Sequence, residues 1–310
     1  MTAPAAPNLT NPDTGPLPDP LALPGGIGHL RRAVEYAAPP GYRPLLLDLY
    51  TPHAERPPVV LFLHGGGYRF GTRSVFVPTW CDWDPNPFHR LVAKGLAVAS
   101  VDYRLSGEAV FPAQLLDATA AVRWLHTRAD ELGVDAGRIV AWGESAGGHL
   151  AALLGLTAGR VDLEFGGDTP VGNTTELGAL AGVVDWYGPA DLLTLQSQAR
   201  PDAPHRYDAP DSRESLLIGA PILEAPDLAR RASPVSYAHP DAPPFHIAHG
   251  ADDRFVPAGQ SRELARILQA AGVPLTLDVV PGADHMWRGA AHPEAIFAAA
   301  VDFARHVLDT

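Results

Sequence analysis

A chain of 310 residues, 46% of them hydrophobic and 19% charged, holds enough apolar material for a substantial core, which excludes a disordered or peptide-sized protein. Against 35 Asp and Glu, 23 Lys and Arg leave a formal net charge of −12, and no basic run offsets it, so nucleic acid is not an expected partner. Cys81 is the single cysteine, which rules out an internal disulfide and a multi-cysteine zinc site.

Residues 1–28 are rich in Pro, Asn and Asp, lack a hydrophobic period, and read as a flexible N-terminal arm; residues 29–310 read as one folded domain. No basic segment leads into an apolar core as a signal peptide would, and no run of about 18 apolar residues occurs, so a cytoplasmic protein that does not engage membranes is expected. Short apolar runs then alternate with segments of helical period. Leu45–Tyr50, Val59–Leu63, Ala97–Val101, Ile139–Trp142, Ala181–Val184, Phe245–Ala248 and Leu275–Val280 read as strands, and their near-continuous apolar character suits a sheet buried on both faces. Pro112–Asp130, the segment after Ser145, Pro257–Ala271 and Ala291–Leu308 read as helices. Such alternation predicts an α/β fold, a doubly wound and mostly parallel sheet with helices on both faces. Two loop-rich stretches, 69–90 and 187–242, break the alternation and are expected to form a small lid over a pocket.

The strongest chemical signal is Gly143-Glu144-Ser145-Ala146-Gly147, directly after one predicted strand and directly before a helix rich in small residues. A nucleophile elbow needs that frame: a strand, a strained turn that lifts the serine hydroxyl clear, and a helix packed tightly behind. His64-Gly65-Gly66-Gly67 ends another predicted strand, where glycines let backbone N–H groups converge on a developing oxyanion. Gly66 and Gly67 are assigned as donors with Ala146 as the third, and His64 as a structural support of the loop. A serine needs a base and the base an orienting carboxylate. His285, in Gly282-Ala283-Asp284-His285 after the last predicted strand, is the base. The acid lies in His249-Gly250-Ala251-Asp252-Asp253, where Asp253 is favoured by its offset from the glycine and Asp252 stays open; Asp185 is a weaker candidate. The order Ser, Asp, His is that of the α/β-hydrolase arrangement. His246 and His249 point to opposite faces of a strand and make a poor metal pair, so no metal site is expected. His149 reads as a core histidine. Tyr68, Trp186 and Trp287, beside the predicted loops, are candidate substrate contacts.

Together these motifs resemble the α/β-hydrolase superfamily, in the branch with an HGGG oxyanion loop that includes hormone-sensitive-lipase-like esterases. The runs VVDWYGPADLL (183–193), DAPDSRESLLIGAPI (208–222) and ASPVSYAHPDAPPFHIAHGADDRFVP (232–257) are similar to bacterial acetyl esterases and bifunctional feruloyl/acetyl xylan esterases. The resemblance implies an eight-stranded hydrolase sheet, Ser145, Asp253 and His285 as triad, and ester hydrolysis through an acyl-enzyme with no cofactor. It departs from the pattern in the doubled aspartate of the acid loop and in lacking a long N-terminal helical cap, which points away from bulky lipids. The expectation is a serine carboxylesterase for short-acyl, small-molecule esters. An arylformamidase or other amidase or peptidase on the same fold is the alternative, and a non-catalytic binding protein on a hydrolase scaffold a third. The acyl chain, and whether the arm docks on a second copy in a homo-oligomer, are left open.

Overall fold

The computed structural model describes residues 15–160 and 179–309. Among the described residues nine strands form one sheet: β1 (Leu21–Ala22), β2 (Gly28–Ala37), β3 (Leu45–Pro52), β4 (Pro58–Leu63), β5 (Ala97–Val101), β6 (Asp135–Glu144), β7 (Gly182–Trp186), β8 (Phe245–Gly250) and β9 (Leu275–Val280). Their order is β1-β2-β3-β5-β4-β6-β7-β8-β9, and every pairing from β5 through β9 is parallel while β1, β2 and β3 enter antiparallel. The helices are α1 (Pro87–Ala93), α2 (Ala113–Thr127), α3 (Ala129–Leu132), α4 (Ala146–Thr157), α5 (Leu195–Gln198), α6 (Arg213–Ile218), α7 (Pro226–Arg231), α8 (Gly259–Ala270) and α9 (Pro293–Leu308). Among the described residues, no helix is long and apolar enough to cross a membrane.

The apolar runs are continuous because each central strand feeds two cores. In β4, Val59, Leu61 and Leu63 join the core under α2, α4 and α8, while Val60 and Phe62 join the opposite core with α1 and α9. The same alternation sends Ile139 and Ala141 of β6 one way and Val140 and Trp142 the other. Burial on both faces leaves no room for a polar stripe, as parallel sheets require.

Seven strands coincide with predicted apolar runs to within a few residues. β2 does not, and a bulge explains it. The pairing with β3 shifts register between Arg31 and Val34, where Ala33 sits at φ 52° and donates its N–H to Asp48 Oδ1 at 2.8 Å. Leu30, Val34 and Tyr36 are buried, but the extra residue breaks the period of two that would have revealed a strand. The ninth strand, one more than expected, comes from the segment read as an arm: Leu21–Ala22 pair with His29 and Leu30, and Leu23 is buried. Residues 1–14 of that arm lie outside the described residues.

Helix α4 approaches the sheet too closely for side chains. A Cβ on Gly147 would stand 1.9 Å from the Leu63 carbonyl oxygen at the end of β4, and one on Gly143 would stand 2.0 Å from the Gly147 carbonyl oxygen. Both obstacles are backbone, so neither can rotate away. Gly147→Ala is therefore expected to destabilise the fold by roughly 1–3 kcal/mol or more, the cost of overpacking a full interior. Denaturant unfolding of the variant beside wild type measures it, and an unchanged midpoint would refute the close packing.

Candidate active site

Three loops at the carboxyl ends of β6, β8 and β9 bring the predicted triad together. Ser145 sits on the elbow between β6 and α4 at φ 56° and ψ −120°, a strained conformation for a residue with a Cβ. The strain is held in place: the Ser145 N–H donates to the Trp186 carbonyl at 2.8 Å, and the His149 N–H, one turn into α4, donates to the Ser145 carbonyl at 3.0 Å. Ser145 Oγ lies 3.0 Å from His285 Nε2, and His285 Nδ1 lies 2.7 Å from Asp253 Oδ2. An ionised Asp253 can only accept, so Nδ1 carries the proton and Nε2 is left to accept from the serine hydroxyl. The His285 ring is packed between Tyr187, with centroids 4.8 Å apart, and Phe255, at 5.4 Å.

The structure separates the two aspartates that the sequence left open. Asp253 is buried, accepts the N–H groups of Phe255 and Val256 on Oδ1 at 2.8 Å each, and turns Oδ2 to His285. Asp252 instead accepts from the Gly282 N–H and pairs with Arg200 at the surface. Asp185 accepts from the Gly188 N–H beneath α4, in a support role. Burial alone would raise the Asp253 carboxyl; the facing His285, and then the hydrogen bonds from His249 and His285, reverse this and hold it well below the usual carboxylate range.

His249 is a site residue that the sequence reading set aside as half of a poor metal pair. It is fully buried, donates from Nε2 to the Val256 carbonyl at 2.9 Å, and holds that nitrogen 3.3 Å from Asp253 Oδ2. Its Nδ1 meets Ser261 Oγ at 2.7 Å. It thus fixes the rear of the acid loop. The spacing of four residues across a tight turn was the available signal.

The glycine loop lies across the mouth of the elbow. Gly66 has φ 113° and Gly67 φ 59°, both left-handed. A Cβ on Gly66 would meet the Phe70 carbonyl oxygen at 2.0 Å. The N–H groups of Gly66, Gly67 and Ala146 find no protein acceptor among the described residues, and all three residues line one cavity with Ser145. His64 supports the loop from outside, stacking on Tyr103 at 4.4 Å while its carbonyl accepts the Tyr103 hydroxyl at 2.7 Å. Glu144, the residue before the serine, accepts the Gly65 N–H on Oε1 at 2.6 Å and so ties the two loops together. Burial pushes its carboxyl up to about 7.

The cavity measures about 430 Å³. Phe70, Val75, Pro78 and Cys81 from the 69–90 stretch line it, with Pro189, Arg213 and Glu214 from the 187–242 stretch. Tyr68 lines it. Trp186 and Trp287 do not. Both are buried in an aromatic cluster, Trp186 packing edge-on to Trp142 at 5.0 Å and to Trp287 at 5.4 Å, with Phe76 and Trp80 around it. Trp186 ends β7 with its ring toward the α9 face, so the expectation of substrate contact is corrected for these two residues. Among the described residues, no group of three or more His, Cys, Asp and Glu has the disposition to hold a metal ion.

A mostly parallel sheet with a serine, an aspartate and a histidine carried at its carboxyl edge, in this chain order, defines an α/β-hydrolase fold. A carbohydrate esterase from gut microbiota superposes with a TM-score of 0.76 at 27% identity, covering 91% of this chain and 96% of that one. The BD-FAE family model matches residues 47–268, and the chain belongs to that family. Among curated relatives, Esterase LipC of Mycobacterium tuberculosis (strain ATCC 25618 / H37Rv) is 31% identical over 260 residues, covering 82% of this chain and 59% of its own. Ethyl acetate hydrolase of Pseudomonas putida is 30% identical over 256 residues, covering 78% of this chain and 70% of its own. The chain spans 55–63% of the length of the first three such relatives.

The elevated Glu144 carboxyl has a thermodynamic consequence. Its proton is held up to about 7 in the fold, against 4.5 ordinarily, so the folded state binds more protons between those values and stability falls as pH rises through that window. Glu144→Gln cannot ionise. Its unfolding free energy should decline less steeply from pH 4.5 to 7 than that of wild type, measured by denaturant titration across the range; equal slopes would show that Glu144 titrates normally.

Proposed function

We propose that the protein is a serine carboxylesterase that cleaves short-acyl esters of small alcohols through an acyl-enzyme. The observation that carries this is the continuous relay from Ser145 through His285 to Asp253, opening into a cavity walled by the glycine loop. His285 Nε2 takes the Ser145 hydroxyl proton as Oγ bonds to the ester carbonyl carbon. The carbonyl oxygen gains the charge and is received by the N–H groups of Gly66, Gly67 and Ala146, which have no competing protein acceptor among the described residues. The bond to the alcohol oxygen then breaks as His285 returns the proton to it. Water repeats the sequence on the acyl-enzyme and releases the acid. Asp253 keeps Nδ1 protonated and offsets the charge that His285 acquires midway. Side chains, these three backbone N–H groups and water suffice for every step as proposed, with no cofactor.

Short acyl groups are favoured by a cavity near the small end of ligand pockets, about 430 Å³ against roughly 300–1,000 Å³ in general, and by the absence of a helical cap among the described residues. The names of relatives, an ethyl acetate hydrolase and a carbohydrate esterase, support the same class.

Hydrolysis of p-nitrophenyl acetate, butyrate and octanoate tests the reading. Acetate or butyrate should be cleaved fastest. Ser145→Ala should lower kcat by several orders of magnitude, and Asp253→Asn by up to about 10⁴-fold through the wrong histidine tautomer. Asp252→Asn should stay within a few-fold of wild type. Octanoate preference would overturn the acyl-length assignment, and an active Ser145→Ala would overturn the nucleophile. Cleavage of the matching anilides alone would replace the esterase with an amidase.

A further inference from the structure

Arg213 is the only Lys or Arg among the described residues that line the cavity, and the mechanism above does not use it. Its position is well defined by three neighbours. Its aliphatic stem runs across the glycine loop, since a Cβ on Gly67 would stand 2.4 Å from Arg213 Cδ and 2.9 Å from Nε. The guanidinium carbon lies 5.7 Å from the Phe255 ring centroid, and that ring packs against His285. One terminal nitrogen, Nη1, is 3.5 Å from His205 Nε2. The charge therefore sits between the oxyanion loop on one side and the catalytic base on the other.

None of these neighbours neutralises it. Gly67 and Phe255 carry no charge, and burial, with Arg213 itself adding to it, lowers His205 to about 4 and keeps it neutral near pH 7. Among the described residues Arg213 makes no ion pair, whereas Arg43, Arg73, Arg104 and Arg254 each face a carboxylate. The two carboxyls that share the cavity, Glu144 and Glu214, are both buried; burial pushes each up to about 7, so neither presents a full opposing charge on the acid side of neutrality. On a chain of net charge −12, a guanidinium with no ion-pair partner among the described residues, lining the cavity beside the triad, is a local reversal of sign.

We propose that Arg213 reads a carboxylate on the substrate, so that the preferred esters carry a negative charge close to the scissile bond, as a half-ester of a dicarboxylic acid or an acyl ester of a hydroxy acid does. The planar guanidinium fork matches the two oxygens of a carboxylate, and the low-dielectric wall strengthens the pairing over what solvent would allow. Such a contact gives specificity without entering the bond-making steps. This rests on the esterase reading and narrows it to a substrate class.

Two matched pairs of esters test it: ethyl hydrogen succinate against ethyl pentanoate, with the charge on the acyl side, and para-acetoxybenzoate against its methyl ester, with the charge on the alcohol side. Wild type should favour the charged member of at least one pair in kcat/KM. Arg213→Met should lower that charged-to-neutral ratio by about 10- to 100-fold, the range of a charge-assisted hydrogen bond. Arg213→Lys should restore part of it, and added salt should shrink the wild-type ratio. The ratio, rather than the absolute rate, is the readout, so a partly misfolded variant does not mimic the result. Calorimetric binding of the same esters to Ser145→Ala, with and without Arg213→Met, reads the preference without turnover. A charge preference in binding but no hydrolysis by wild type would retain the proposal and sink the esterase reading. Equal ratios in wild type and Arg213→Met, in both turnover and binding, would overturn the proposal.

Discussion

The contact on which the site depends is one of backbone against backbone: the first turn of α4 lies against the ends of β4 and β6 with only hydrogen atoms between them. Gly147 faces the Leu63 carbonyl and Gly143 faces Gly147, at separations no side chain could enter. That approach forces the turn at Ser145 into its left-handed conformation and presents the hydroxyl above the sheet. It also brings the glycine loop, which continues directly from Leu63, alongside the serine. Nucleophile and oxyanion donors are thus neighbours because one helix is seated deeply.

Around this point the supporting groups form two separate systems. One joins the elbow to the glycine loop through Glu144 and the Gly65 N–H, with His64 and Tyr103 behind. The other fixes the acid loop through Asp253, its two backbone donors and His249, which in turn is held by Ser261 on α8. Each places a buried carboxyl close to His285, yet their protonation is pushed in opposite directions. At Glu144 complete burial outweighs the facing His285 and the Gly65 N–H, and the carboxyl is raised; at Asp253 His285 and His249 outweigh burial, and it is lowered. The balance of burial against histidine partners decides which carboxyl stays ionised.

Much of this was legible in the sequence, for identifiable reasons. Strands buried on both faces announce themselves as apolar runs, and the elbow and glycine loop need residues that few other structures demand. The edge of the sheet was harder: a bulge at Ala33 removes the alternation that would have marked β2, and two paired residues are too few to register as β1. Trp186 and Trp287 were misplaced because proximity in sequence to a catalytic loop says nothing about which face of the sheet a ring takes. His249 sat in plain view, four residues before the acid, but a strand histidine is usually only packing. Arg213 lies in the run 208–222, which pointed to the family without giving this residue a role, and its relevance appears only once Gly67, Phe255 and His205 are seen to surround it.

The three members of the relay are not equally secured. Ser145 and Asp253 follow β6 and β8, which have strands on both sides, whereas His285 follows β9, the last strand of the sheet, which pairs with β8 alone among the described residues. An edge strand has half the ladder of an interior one and opens at lower free energy than the core. Fraying there would withdraw the base while β4 to β8 remained intact. Turnover would then vanish at milder heat or denaturant than circular dichroism, and would return without any need to refold the chain.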